Sequence, residues 1–173
     1  MNLSSRKEVR VLAIDPSTRG FGFAVLEGPS RLIDWGVKET RSNKNTKSLK
    51  LIADLIERYQ PTAIIVEDIA GKGSRRCRRV GELINAISKL ASKREIRVRS
   101  FSRAKVKQVL SESGASTKHE IAVAIAKRFP ELAPRVPRFR KPWMSEDYRM
   151  SIFDAVALAL TFFEFENKGK LAA

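Results

Sequence analysis

Cysteine and histidine are almost absent from the chain: its 173 residues hold one of each, Cys77 and His119. A disulfide framework needs paired cysteines and a cysteine-based zinc site needs several thiolates, so both are excluded, and a multi-histidine metal site is disfavoured. A histidine-based hydrolytic triad is disfavoured for the same reason. Long apolar runs are missing as well. None approaches the ~18 residues that a membrane span requires, and the opening MNLSSRKEVR lacks the apolar core of a signal segment, so a cytoplasmic setting is expected. Acid is scarce: 19 Asp and Glu stand against 34 Lys and Arg, a net charge of +15. That imbalance points to a polyanionic partner, nucleic acid first. With 43% hydrophobic residues and no linker, repeat or low-complexity tract, residues 1–173 should form a single domain with its own core.

What is present is organised around residues 11–26, VLAIDPSTRGFGFAVL, an apolar strand that ends on Asp15, turns through Pro16 to Gly20 and resumes as a second strand. Strands are expected over residues 8–14, 21–26 and 31–38, forming an antiparallel meander. Helical spacing over 48–60 ends at Pro61, and the near-continuous apolar run of 62–67 suits a central strand covered on both faces. Further helical spacing over 80–91 precedes an alternating strand at 95–101. Ser102 can cap the next helix, and Thr117 with Glu120 makes a capping-box pattern for a helix over 118–129. The proline-rich 130–143 reads as a basic loop, and Ser145 as the start of a last helix reaching about 166. Three antiparallel strands, then helix, strand, helix, strand and helices describe a ribonuclease H-like α/β fold, a mixed five-stranded sheet flanked by helices.

Three acids stand out against the basic background: Asp15 ending the first strand, Glu67 ending the central strand, and Asp154 interrupting the apolar run IFDAVAL. Hydrolysing a phosphodiester without a covalent intermediate requires a nucleophilic water, charge stabilisation at phosphorus and help for the leaving oxygen. Two divalent metals about 4 Å apart meet all three needs. Hard ions such as Mg²⁺ take oxygen ligands, so several carboxylates must converge from separate elements. Each acid also has a purely structural reading: Asp15 as a turn residue bonding its own backbone, Glu67 as a strand terminator, Asp154 as a partner for a buried cation. Taken together in so basic a chain, they favour a metal-dependent nuclease.

In order and spacing, IDPSTRGFGFAVL, IIVED, VKQVLSESGASTK and FDAVALAL resemble the RuvC family of bacterial Holliday-junction resolvases. The resemblance implies Mg²⁺ or Mn²⁺ bound by Asp15, Glu67 and Asp154, and contacts from Lys107 and Lys118 to the cleaved strand. It implies a homodimer that nicks two strands of a four-way DNA junction symmetrically, since a twofold protein matches a pseudo-twofold substrate. The chain departs from the family pattern at Ser151, where a further Asp or His is common, at Ser17, where a Gly is common, and at Ala70. The last change removes an aromatic suited to stacking on an unpaired base, so weak or altered sequence preference is expected. Asp147, favoured over Glu146, is the expected outer or second-metal ligand in place of Ser151. Arg75, Arg76, Arg78 and Arg79, with Arg138, Arg140 and Lys141, are the expected phosphate contacts, while Phe139 and Trp143 are expected either to stack on exposed bases or to anchor their loop, anchoring being favoured. An RNA-processing nuclease of the same fold and a junction-binding protein that no longer cleaves are the competing readings. The opening hairpin also resembles the phosphate loop of actin-like kinases, but 173 residues leave no room for the second lobe.

Overall fold

A computed structural model describes residues 8–70 and 76–171. Strands β1 (Arg10–Pro16), β2 (Gly20–Glu27) and β3 (Arg31–Glu39) form the meander, and helix α1 (Lys44–Tyr59) crosses over to β4 (Ala63–Glu67). Helix α2 (Arg78–Lys93), strand β5 (Arg97–Phe101) and helices α3 (Arg103–Ser111), α4 (Lys118–Arg128) and α5 (Met150–Leu171) follow. Among the described residues the sheet has five strands in the order β3-β2-β1-β4-β5, with β4 parallel to both β1 and β5. This is the expected mixed sheet.

The central strands β1, β2 and β4 are apolar along most of their length because helices cover both faces. Along β1, Val11 and Ala13 pack with α5, whereas Leu12 and Ile14 pack with α1 and α2. All four are fully buried. Strand β4 divides likewise, Ala63 and Ile65 toward α5, Ile64 and Val66 toward α1 and α2. Helix α5 is buried almost all round from Met150 to Phe163, so it shows little of the amphipathic stripe of a surface helix.

One glycine sets how closely α5 lies on the sheet. A Cβ added at Gly22 would come within 2.4 Å of the Ser151 carbonyl oxygen and 2.5 Å of its Oγ. The first turn of α5 therefore rests directly on β2, and Gly22 is the register partner of Asp15.

Two local features differ from the sequence reading. Residues 130–135 form a 3-10 helix (Pro130–Arg135) rather than loop, pinned by the fully buried Leu132. The last helix begins at Met150 rather than Ser145. The Asp147 carboxylate accepts the backbone N–H of Arg149 at 2.9 Å, and the Met150 N–H bonds the Asp147 carbonyl at 3.0 Å. This local turn competes with helix over 145–149. The capping box of α4 and the Ser102 cap of α3 are both formed. No helix among the described residues is long and apolar enough to cross a membrane.

Candidate active site

Parallel pairing of β1 with β4 brings the first two acids together. The ladder runs Val11 to Ala63, Leu12 to Ile64 and Ala13 to Ile65, so its continuation sets Asp15 beside Glu67. Both have the parity of the residues facing α5, and Asp154 approaches from that helix. The three carboxylates line one small cleft with Arg76, Arg103, Val106 and Leu158. Side chains separated by up to 139 positions thus converge at the carboxyl end of the central strands, where open α/β sheets place ligands.

Three cations meet these acids. The Arg76 guanidinium bridges Asp15 and Glu67, with Nη2 2.8 Å from Asp15 Oδ1 and 2.6 Å from Glu67 Oε2. Its Nε donates to the same Glu67 oxygen at 2.9 Å, and its Nη1 to the Pro16 carbonyl at 3.0 Å. Lys118 Nζ donates to Asp154 Oδ2 at 2.9 Å and to both Glu146 oxygens at 3.1 Å. Arg103 Nε stands 3.5 Å from Glu67 Oε1.

These cations do not cancel the cost of burying the acids. Burial, and after it the charge of Asp154, push the Asp15 carboxyl up to about 8 despite Arg76 and Lys118. Burial also raises Asp154, against the pull of Lys118. Burial works against the charge of Arg76 and Lys118, yet their carboxylate partners hold both above their ordinary values. A cluster of hard oxygen donors whose charged forms are disfavoured by burial fits a divalent cation such as Mg²⁺. As the side chains stand, no three acidic, histidine or cysteine side chains among the described residues surround one point as a ligand set. Arg76 lies between two of the candidate ligands, so loading the site requires it to move aside.

The remaining expected site residues fall into three groups. Lys107 is exposed on α3 and lines a groove with Arg103, Lys118 and Asp154, so it joins the site. Arg138 and Arg140 line a second groove, which shares Lys118 with the first and also contains Glu146, with Lys141 beside it over the Trp143 ring. Arg78 and Arg79 are engaged elsewhere: Arg78 pairs with Glu82 at 2.8 Å, and Arg79 donates to the Ser17 carbonyl at 2.5 Å and to Asn45 at 3.2 Å. Arg75 lies outside the described residues.

The structure does not bring Asp147 to the other acids. Its carboxylate is held by the Arg149 guanidinium, Nη2 to Oδ2 at 2.6 Å, a bond that lowers its pKa. The argument that Asp147 shares a helical face with Asp154 lapses because α5 starts after it. Glu146 is the acid that reaches the site, through Lys118. Ser151 is buried against β2 and donates to the Tyr148 carbonyl at 2.8 Å. Sequence reasoning missed Arg103 and the pairing of Arg76. For Arg103 a signal existed, since Glu67 is in register with Phe101 and Arg103 follows two residues later.

A family model described as Crossover junction endodeoxyribonuclease RuvC matches residues 11–162. A curated relative of that name from Prochlorococcus marinus (strain MIT 9301) is 26% identical over 161 residues, 88% of this chain and 95% of its own length. Among solved structures, Thermus thermophilus RuvC superposes with a TM-score of 0.69 at 22% identity, covering 93% of this chain and 97% of that one. The same protein in complex with Holliday junction substrate gives 0.70 at 21% identity with equal coverage. These likenesses identify the sheet and its helices as the ribonuclease H-like fold, and the family match spans all three acids of the cleft. The chain belongs to the RuvC family of crossover junction endodeoxyribonucleases.

Proposed function

We propose that this chain resolves four-way DNA junctions by paired symmetrical nicks, as a homodimer in the cytoplasm, with Mg²⁺, or Mn²⁺ in its place, held by Asp15, Glu67 and Asp154. The observation that carries this reading is the convergence of those three carboxylates from β1, β4 and α5 in one cleft. Metal at such a site supplies a nucleophilic hydroxide and charge stabilisation at phosphorus.

The chain's own residues do the rest. Asp15, Glu67 and Asp154 provide anionic oxygen ligands on three separate elements, so their spacing is fixed by the sheet and α5. Lys118, tethered by Asp154 and Glu146, and the exposed Lys107 present ammonium groups along the groove that opens from the cleft. There they can hold the phosphate of the strand being cut and offset charge that grows in the transition state. Arg103 at the cleft wall offers a further phosphate contact. When Arg76 yields Asp15 and Glu67, its guanidinium becomes free to meet the DNA backbone.

The test incubates the protein and Mg²⁺ with a labelled four-way junction, a linear duplex and a structured RNA. Symmetrical nicks in the junction alone are expected, and Asp15→Asn should abolish them while junction binding survives. The ion pairs on all three acids also favour a second reading, a junction-binding protein that does not cut. Junction binding without nicks at any Mg²⁺ or Mn²⁺ concentration would establish that reading instead. Cleavage of the RNA in preference to the junction would overturn both.

A further inference from the structure

We propose that residues 137–144 form a stacking platform for unpaired DNA bases, with Phe139 and Trp143 as the stacking faces and Arg138 and Lys141 as phosphate contacts. The proposal rests on the reading of branched DNA as substrate and names how its open centre is held.

Among the described aromatic rings Phe139, 71% exposed, and Trp143, 78%, stand furthest into solvent; Tyr148 follows at 44% and the rest are less exposed. Leaving two large rings in water forfeits burial that would stabilise the fold, so their exposure calls for a partner. Loose backbone does not account for it. The Met144 N–H closes a turn onto the Lys141 carbonyl at 3.0 Å, and the Arg140 guanidinium donates to the Met144 carbonyl. The Phe139 ring meets His119 edge-on, with centroids 5.7 Å apart, and so is braced from α4 while remaining largely open. The rings are therefore presented on a hydrogen-bonded loop, and of the two expectations for them, anchoring and stacking, their exposure favours stacking.

The chemistry of the partner follows from what surrounds the rings. Arg138 lies beside Phe139, and the Lys141 ammonium sits 5.2 Å from the Trp143 ring centroid. Cations interleaved with open aromatic faces suit a single strand, because every base has a π face and every link a phosphate. A linear duplex hides its base faces, whereas a four-way junction exposes bases where the strands exchange. The groove under the loop also contains Lys118 and Glu146, and Lys118 holds Asp154. A strand stacked on the platform is thus continuous with the carboxylate cleft.

The test uses Trp35→Phe protein, in which Trp143 is the remaining tryptophan. Titration with a twelve-nucleotide oligothymidylate and with a four-way junction should quench Trp143 emission, and linear duplex should not. Phe139→Ala and Trp143→Ala should each weaken oligothymidylate and junction binding by roughly 5- to 150-fold, the range for one base–aromatic stack. Duplex affinity should stay within about twofold, and Trp143→Phe should recover most of the loss, in keeping with stacking. Both residues are exposed, so truncation leaves the core intact, and circular dichroism verifies this. Unquenched emission, or equal losses on junction and duplex, would overturn the platform. Wild-type cleavage measured alongside separates the two readings. Normal junction cutting with no effect of Trp143→Ala sinks the platform alone, whereas quenching by oligothymidylate without junction preference or cutting sinks the resolvase reading alone.

Discussion

Asp15 is costly to charge where it stands, at the buried end of β1 with Asp154 nearby, and its carboxyl titrates at about 8 rather than 3.8. Between those values the folded protein keeps a proton that the unfolded chain has released, so stability falls as pH rises. The contribution is complete below about 4 and gone above about 8. Thermal denaturation in a chelator from pH 5 to 9 should show the fall in wild type, and its difference from Asp15→Asn isolates the group. Arg76→Ala removes the guanidinium that opposes the shift, so the fall should extend beyond pH 8. A difference curve that is flat across the window would refute the account. Glu120 does not interfere. The N–H groups of Ser116 and Thr117 hold it at about 2, and the stability it adds is lost only as pH drops from about 4.5 through that value.

Helix α5 combines packing with chemistry, since the same 22-residue element covers one face of the sheet and carries Asp154. Its distance from the sheet is set where Ser151 meets Gly22, one turn before the acid and across from Asp15. Gly22→Ala would push the first turn of α5 off β2. Overpacking of this kind costs about 1–3 kcal/mol, to be measured by chemical denaturation. Because the displaced turn also positions Asp154, single-turnover junction cleavage should fall at least tenfold, the equivalent of about 1.4 kcal/mol in barrier height, with junction affinity little changed. Wild-type cleavage in Gly22→Ala would mean that the site does not depend on this contact.

At the scale of the molecule, a net charge of +15 makes DNA binding a matter of counterion release, yet not every cation is available. Arg79 is tied to the β1–β2 turn, and Arg76 and Lys118 to the acids. Of the residues expected to meet phosphate, Lys107, Arg138 and Lys141 are exposed. Junction affinity should fall steeply with salt, and Arg138→Ala or Lys141→Ala should each reduce the slope of log affinity against log salt by about one. A slope unaltered in both variants would show that the 137–144 loop does not meet phosphates.

Strand periodicity, the Ser102 cap and the Thr117 capping box were legible in the sequence because each depends on neighbours within a few residues. Asp15, Glu67 and Asp154 were legible for a related reason: an acid inside or ending an apolar run is conspicuous wherever the run goes. The start of α5 was not, since a helix buried all round loses the stripe that marks its ends, and Asp147 diverts the backbone just before it. Pairing of charges was less legible still. Among 34 cations, only the fold selects Arg76 for Asp15, 61 positions away, and Lys118 for Asp154, 36 away. The exposure of Trp143 belongs with these. Sequence alone determined which groups are costly to leave unpaired, through burial and charge, whereas tertiary structure decided what each one meets, because those meetings are set by strand register and helix packing over long separations.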